Sequence, residues 1–498
     1  YQYIGTGTVV DRMIDWFTPA GEPRPVTRAR FDWQVYDPKR KEKGGVRWHT
    51  VEGPAVLKRK DFYYEMFSGG NWQNATYGVS FAVSDTILRD DEWLQFADGE
   101  RVLPILRTIP GVVMGPGHNC VVRGPNNREL YCIYHRWAGD SRVMSIDRMD
   151  NAGHRLFVYG ASHTPQQAPF TPTITEMFRS NVPPENGLDV EGEWSFGPSG
   201  AITGPLGRAT IRPQAIPESF LCEISWACTD PINVPGDFGI RFLAGDTEAI
   251  LSFSPGTNKA AFSLSEGGKQ NTSVTYLPAD LVWSAAHLFR IEADGRHINM
   301  RLDSLPTLLD ITLTDNVKGF ELFFNDLAAT VKSFELTSGF EELFENDGEL
   351  SDAWKIESGN PINIHGGELV AQRQDDFSLV RENLSFRDLE FAVNVRLLEP
   401  AGQVALILRS GISDLFRMTM DVDKRIVRVA KGSSYELPQD VDLFTYHQLK
   451  IVKMQGQAFY FFDDRRLGSA NVSDSEVEPQ FIAAGAAFAI EMIRLTAI

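Results

Sequence analysis

The sequence predicts an all-β protein made of several antiparallel sheets. Short runs such as Phe289-Arg290-Ile291-Glu292 alternate apolar and polar residues, which is the period of a strand with one buried face. Turn signals, among them Asp294-Gly295 and Gly366-Gly367, separate these runs. Helical periodicity is nearly absent. A chain of 498 residues is long enough for about three domains, at roughly 150 residues per domain.

The charge balance argues against one large class of partners. The chain has 48 basic and 66 acidic residues, which gives a formal net charge of −18. Nucleic-acid binding needs a basic face for the phosphates, so DNA and RNA are disfavoured. Neutral polysaccharide carries no charge to repel and remains compatible. No apolar run is long enough for a membrane-spanning helix.

An internal repeat occupies the second and third parts of the chain. Leu277-Pro278 recurs as Leu437-Pro438, and the same offset maps His287 onto His447. Repetition at a fixed offset is typical of a duplicated structural unit. We therefore expect two copies of one antiparallel β-sandwich. Because neither copy shows an exposed aromatic row, we expect the sandwiches to pack against the N-terminal domain rather than capture a ligand.

Three motifs in the first third point to a chemistry. They are Glu-Gly-Pro at Glu52–Pro54, Gly-Pro-Gly-His at Gly115–His118 and Tyr-His-Arg-Trp at Tyr134–Trp137. An acid before Gly-Pro places a carboxyl group at a strand edge, and a glycosidase needs such an acid held rigidly and partly desolvated. In this order the motifs resemble glycoside hydrolase family 43, five-bladed propeller enzymes that cut arabinose- and xylose-containing glycans.

The resemblance covers residues 1–165 and implies a partial five-bladed β-propeller, followed by two tandem jelly-roll β-sandwiches. Tyr1–Gly7 resembles the family's second-blade strand, and the acidic segments that normally precede it do not occur in this sequence. We therefore expect a second polypeptide to supply the N-terminal blades. The expected segments are the propeller part at 1–165, a proline-rich linker at 166–184, one sandwich at 185–340 and the other at 341–498.

The resemblance also implies a site. Glu52 is the expected general acid of an inverting mechanism, with the general-base Asp and the pKa-tuning Asp on the missing blades. The alternative for Glu52 is a strand cap or an ion pair with Lys58 or Arg59. His118 matches a central-channel histidine near a structural calcium ion, or else is satisfied by core hydrogen bonds. The expected substrate contacts are Trp72, Phe67, His135 and Arg142, whereas Glu65 is expected to be structural.

Two other functions fit the same features less well. Fructan hydrolases also join a five-bladed propeller to a sandwich, but they usually carry Glu-Cys-Pro where this chain has Glu-Gly-Pro. A non-catalytic carbohydrate-binding protein gains weight from the absent Asp residues.

The four cysteines do not form a disulfide scaffold. Cys120 and Cys132 flank a turn and allow a cross-strand bridge, although four buried thiols are the simpler expectation. The sequence leaves the cellular compartment open.

Overall fold

The computed structural model describes the chain except residues 1–2, 16, 97–102, 230–235, 280, 304, 346, 349, 351–352, 382–383 and 430–433. The described residues are all-β, as predicted, with three 3-10 helices at Asp32–Gln34, Lys41–Lys43 and Pro255–Thr257 and no α-helix. Within this part of the chain there is no helix with the length and apolarity needed to span a bilayer.

The N-terminal part contains two four-stranded antiparallel sheets, in the orders β11-β10-β9-β8 and β12-β13-β14-β15. Such up-and-down sheets are typical of propeller blades. A three-stranded sheet, β1-β7-β6, and the ribbons β2-β5 and β3-β4 complete this part. The strands are β1 Ile4–Gly5, β2 Gly7–Val10, β3 Met13–Asp15, β4 Thr18–Pro19, β5 Arg24–Arg28, β6 Val35–Arg40, β7 Val46–His49, β8 Val51–Arg59, β9 Phe62–Gly69, β10 Gly78–Ser84, β11 Leu94–Gln95, β12 Met114–Arg123, β13 Leu130–Ala138, β14 Ser141–Ala152 and β15 Arg155–Val158.

Residues 174–342 form the strands of the first repeat. Seven of these strands form a sheet of their own, in the order β17-β20-β29-β22-β23-β24-β25. Within the expected linker, β16 pairs with β30, so part of that segment is a strand. The strands are β16 Ile174–Glu176, β17 Leu188–Glu191, β18 Trp194–Gly197, β19 Gly200–Thr203, β20 Arg208–Pro213, β21 Ser219–Cys228, β22 Asp237–Ala244, β23 Thr247–Ser254, β24 Lys259–Glu266, β25 Lys269–Tyr276, β26 His287–Asp294, β27 His297–Leu302, β28 Leu309–Thr312, β29 Gly319–Asn325 and β30 Ala329–Glu342.

The second repeat has the same strand order. Its separate sheet, β31-β34-β43-β36-β37-β38-β39, matches that of the first repeat position by position. The strands are β31 Trp354–Ser358, β32 Asn363–His365, β33 Glu368–Gln374, β34 Phe377–Arg381, β35 Leu389–Leu397, β36 Gln403–Ser410, β37 Ser413–Asp421, β38 Ile426–Val429, β39 Ser434–Glu436, β40 His447–Met454, β41 Gln457–Phe462, β42 Arg465–Asn471, β43 Glu478–Ala484 and β44 Ala486–Ala497.

The repeated histidines make the same contacts in both copies. His287 Nδ1 lies 2.7 Å from Asp303, and His447 Nδ1 lies 2.7 Å from Asp463. In each copy Nε2 lies 3.0 Å from a backbone carbonyl oxygen five residues upstream. Each histidine also begins the equivalent strand, β26 or β40. The sequence repeat is therefore a repeat of structure down to individual hydrogen bonds.

The remaining sheets of the two repeats are continuous. The strands β28-β27-β26-β21-β30 of the first copy run directly into β44-β35-β40-β41-β42 of the second, because β30 and β44 pair through Gly339–Glu342 and Ile493–Thr496. Each copy keeps its own apolar core, centred on residues such as Trp226 and Phe289 in one and Phe391 and Phe488 in the other.

The second repeat packs against the N-terminal part through a buried cluster of charged groups. Arg148 of β14 pairs with Glu390 at 2.6 Å, and Arg494 of β44 pairs with Asp150 at 2.5 Å and Glu390 at 3.0 Å. Burial opposes the charge on Glu390, but the neighbouring cations, Arg148 first, outweigh it and hold the pKa of that carboxyl below its usual range. This copy therefore packs on the blades, as expected.

The cysteines form no bridge. All four are free. Cys120 lies opposite Ile133, and Cys132 lies opposite Val121. This one-residue offset places the two sulfurs on opposite faces of the sheet, because side chains alternate along a strand. Cys120 is exposed, so the expectation of four buried thiols is wrong at that position.

Candidate active site

Glu52 lies at the beginning of β8, where the strand is irregular. The register with β9 is regular at Glu52, which faces Ser68, and shifts before Ala55. Gly53 causes this shift because its φ of +62° lies in the left-handed region, which favours glycine. The resulting bulge is a typical way to redirect a side chain beside a functional site. The Glu52 carboxyl is half-buried and accepts a 2.7 Å hydrogen bond from Tyr77 Oη.

The Gly-Pro-Gly-His motif forms the beginning of β12 and packs beside Glu52. A Cβ on Gly117 would lie 1.9 Å from Tyr77 Cε1, and one on Gly115 would lie 3.0 Å from the Trp137 ring. The two glycines thus let the aromatic rings lie directly on the backbone. A Cβ on Gly53 would meet the His118 ring at 3.1 Å, which brings the first two motifs into contact.

This packing predicts a large effect of a single methyl group. We expect Gly117→Ala to lower the melting temperature, because its Cβ would overlap the buried Tyr77 ring. The matched control is Gly319→Ala, also in a strand, where an added Cβ meets nothing within 4 Å. Thermal unfolding measures both. Equal melting temperatures for the two variants would contradict the packing argument.

His118 is exposed and contributes its backbone rather than its ring to the site. Its N–H donates to Ser68 Oγ at 2.7 Å. The described residues contain no group of three or more His, Cys, Asp or Glu side chains that would hold a metal ion. Calcium prefers six to eight oxygen ligands, so one imidazole does not fit a calcium site. The calcium ion stays a prediction from the resemblance.

His135 lies beneath Tyr77. The two rings stack with centroids 5.6 Å apart and an interplanar angle of 20°. Burial, helped by the positive charges of Arg142 and His118, lowers the pKa of His135 to about 4. The imidazole is therefore neutral at neutral pH. Its Nε2 is buried and has no hydrogen-bond partner among the described residues.

Two half-buried tryptophans, Trp72 and Trp137, form a group with the exposed Arg142. The two indoles stack at 6.4 Å, and Trp137 Nε1 donates to the Trp72 carbonyl oxygen at 2.8 Å. The guanidinium of Arg142 is exposed and lies 5.0 Å from the centre of the Trp72 ring. Two predicted substrate contacts, Trp72 and Arg142, are thus brought together.

Phe67 is different. Its side chain is fully buried, stacks on Trp33 at 6.1 Å and belongs to a core cluster with Val51 and Trp93. Ser68 faces Glu52 across the strand pair, and successive side chains of a strand point to opposite faces. Phe67 is therefore a core residue, and its expected contact with substrate does not agree with this structure.

The other acidic alternatives are settled by their partners. Glu65 is buried and accepts hydrogen bonds from Thr8 and Thr27, so it is structural, as expected. Burial raises the pKa of Glu65. Of the two alternative partners of Glu52, Arg59 pairs instead with Glu491, and Lys58 Nζ lies 5.5 Å from the centre of the Tyr63 ring.

Sequence reasoning missed Ser68 and the bond from Tyr77. The register of the β8–β9 hairpin puts Ser68 opposite Glu52 and could have indicated that Ser68 lies beside the carboxyl group.

Comparison with known proteins agrees with the motifs. No profile of a known protein family matches the chain. Over 104 residues the chain is 38% identical to Beta-D-galactofuranosidase xynD of Aspergillus niger, covering 20% of this chain and 28% of that protein. A thermostable family-43 glycoside hydrolase of known structure is 28% identical, covering 33% of this chain and 50% of that one, with a TM-score of 0.28. This chain resembles glycoside hydrolases of family 43.

Further solved structures include a xylan beta-1,4-xylosidase from Bacillus halodurans, 12% identical over 66% of this chain and 70% of its own, with a TM-score of 0.25. The carbohydrate-binding module CBM66 from Bacillus subtilis is 18% identical over 31% of this chain and 96% of its own, with a TM-score of 0.26. TM-scores of this size support no particular site residue. The match to the galactofuranosidase spans 28% of that protein's length.

Proposed function

We propose that this chain carries the general acid of an inverting glycoside hydrolase acting on arabinose- or xylose-containing plant polysaccharides or oligosaccharides. The observation that supports this is the half-buried Glu52 carboxyl, held by Tyr77 beside a neutral His135. In this mechanism Glu52 protonates the leaving oxygen while a second carboxylate activates water. The two carboxyl groups of an inverting enzyme lie roughly 6.5–9.5 Å apart.

The second carboxylate is proposed to come from propeller blades outside these 498 residues, on a missing or separate N-terminal segment. A base within this chain would have to be sought among four aspartates of the N-terminal part, and each of them already has a partner. Asp11, Asp15 and Asp37 accept backbone N–H groups, and Asp32 forms an ion pair with Arg47. The first ribbons also expose apolar side chains, among them Val9, Ile14 and Phe17, which suit a protein contact.

The substrate contacts proposed from this chain are Trp72, His135 and Arg142. The indole of Trp72 offers an apolar surface of the kind that packs on a sugar ring. His135 is proposed from the resemblance and from its place against Tyr77, since its Nε2 atom is itself buried. The exposed guanidinium fork of Arg142 suits two neighbouring hydroxyl groups.

A second candidate substrate is β-D-galactofuranose. The relative that is 38% identical over 104 residues is named for that sugar. β-D-Galactofuranose has the ring configuration of α-L-arabinofuranose with one further hydroxymethyl carbon. Whether the enzyme prefers one sugar over the other therefore depends on whether the site has room for that carbon. One additional carbon typically changes kcat/KM by only about 10–200-fold.

The test is a panel of aryl glycosides assayed with the protein in its complete propeller assembly. We expect cleavage of the α-L-arabinofuranoside or the β-D-xyloside, with proton NMR showing the inverted anomer first. Preference for the β-D-galactofuranoside would favour the second candidate. Retention of configuration, or no cleavage of any of the three, would contradict the proposal. Adding the separately purified blades to this chain is expected to restore activity.

A further inference from the structure

Glu52 accepts a hydrogen bond from a phenol that its surroundings hold in place. Tyr77 Oη donates to Glu52 Oε1 at 2.7 Å, so the phenol proton points to Glu52. Ser68 lies opposite Glu52 in the strand pair, and its Oγ accepts the His118 N–H at 2.7 Å. Burial and Glu52 raise the pKa of Tyr77, and the nearby Ser68 hydroxyl lowers it.

The Tyr77 ring has no freedom to leave this position. Only 1% of the residue is exposed, one face stacks on His135, and Gly117 leaves room for the ring at its edge. Burial raises the pKa of Tyr77 well above its usual range, and the bond to Glu52 raises it further. The phenol thus keeps its proton and remains a donor over the working pH range of a glycosidase.

We propose that Tyr77 is a positioning residue that occupies Oε1 of Glu52 and so keeps the transferable proton on Oε2. This inference rests on the proposed function. In the step, the Oε2–H bond breaks and the proton bonds to the glycosidic oxygen. The bond from that oxygen to the anomeric carbon breaks, with its electron pair left on the oxygen. Water adds to the carbon and gives its proton to the base carboxylate.

The hydrogen bond from Tyr77 to Glu52 becomes stronger when Glu52 transfers its proton. Glu52 becomes a carboxylate as the proton leaves, and a hydrogen bond to an ionised acceptor is shorter and roughly twice as strong as a neutral one. Because Tyr77 is already in position, no reorganisation energy is needed when negative charge develops on Glu52. Tyr77 would thus stabilise the transition state, in which Glu52 is partly ionised, more than the ground state.

The test is Tyr77→Phe in the complete assembly. We expect kcat on aryl glycosides with poor leaving groups to fall roughly ten- to a hundredfold, with KM unchanged. Substrates with a 2,4-dinitrophenolate leaving group need little acid and should be nearly unaffected. Ser68→Ala, which keeps the ring in place, should show the same trend at smaller size.

The matched control is Tyr134→Phe. Tyr134 is also a buried phenol that donates to a carboxylate, Asp147, at 2.6 Å, but it lies in the neighbouring sheet. Tyr134→Phe should lower the melting temperature without changing how kcat depends on the leaving group. If Tyr77→Phe behaves like this control, the positioning role is overturned while the proposed function stands. If the wild-type assembly cleaves no glycoside, the proposed function fails, and the inference fails with it.

Discussion

Replacement of Glu52 by Gln is expected to lower turnover of substrates with poor leaving groups by about 10²–10⁴-fold and to leave the fold intact. The amide keeps the shape of the carboxyl, and its oxygen still accepts the bond from Tyr77 that the structure places on Oε1. It has no acidic proton for the leaving oxygen. Steady-state kinetics on a series of aryl glycosides measures the effect, and circular dichroism checks the fold.

Glu65→Gln is the control for this variant. Glu65 lies in the adjacent strand β9 and is fully buried where Glu52 is half-buried, and its partners are the hydroxyl groups of Thr8 and Thr27. We expect Glu65→Gln to retain turnover even where it loses some stability. Near-normal activity of Glu52→Gln on poor leaving groups would remove Glu52 as the general acid, and the acid would have to be sought elsewhere.

The second large effect is expected at the buried charge cluster that joins the blades to the second sandwich. Glu390 lies between the guanidinium groups of Arg148 and Arg494. Glu390→Gln removes the counter-charge that the two arginines share, while Arg148 keeps Glu129 at 3.2 Å and Arg494 keeps Asp150 at 2.5 Å. Loss of one partner of a buried ion pair typically costs about 3–5 kcal/mol, and because both cations keep a second carboxylate we expect a loss at the lower end of that range. Urea unfolding measures the loss.

The control for this effect is a glutamate in the same sandwich that pairs nearer the surface. Glu368 pairs with Arg396 at 2.8 Å, and both side chains remain more than a quarter exposed. Exposed pairs contribute about 0–1 kcal/mol, so Glu368→Gln should change the free energy of unfolding little. If both variants unfolded at the same urea concentration, the cluster would not be what holds the blades to the sandwich.

The cluster also predicts the acid limit of stability. Its carboxyls Glu390 and Asp150 both have pKa values held below their usual 4.5 and 3.8, despite burial, by arginine. A lowered pKa in the folded state gives stability that is complete above the unfolded value and is lost as pH falls through the folded one. Melting temperature should therefore fall below about pH 4.5, and the fall should be smaller in Glu390→Gln.

The sequence by itself was sufficient for the β class, the duplicated sandwich and the family resemblance. Alternation and turn residues are local, so they can be read without any knowledge of distant contacts. The repeat of His287 and His447 could be read for the same reason, since a duplicated unit repeats its residues at one offset. The Glu-Gly-Pro and Gly-Pro-Gly-His motifs likewise marked the beginnings of β8 and β12, which the structure brings into contact.

Only the tertiary structure decided which side chains share a face or a boundary. Phe67 and Ser68 are neighbours in sequence, yet strand register puts one in the core and the other beside Glu52. The Tyr77 bond depends on a third strand, β12, whose Gly117 leaves space for the ring. The pairing of Arg148 with Glu390 joins residues far apart in the chain. Such contacts depend on how sheets pack, and no local pattern encodes that.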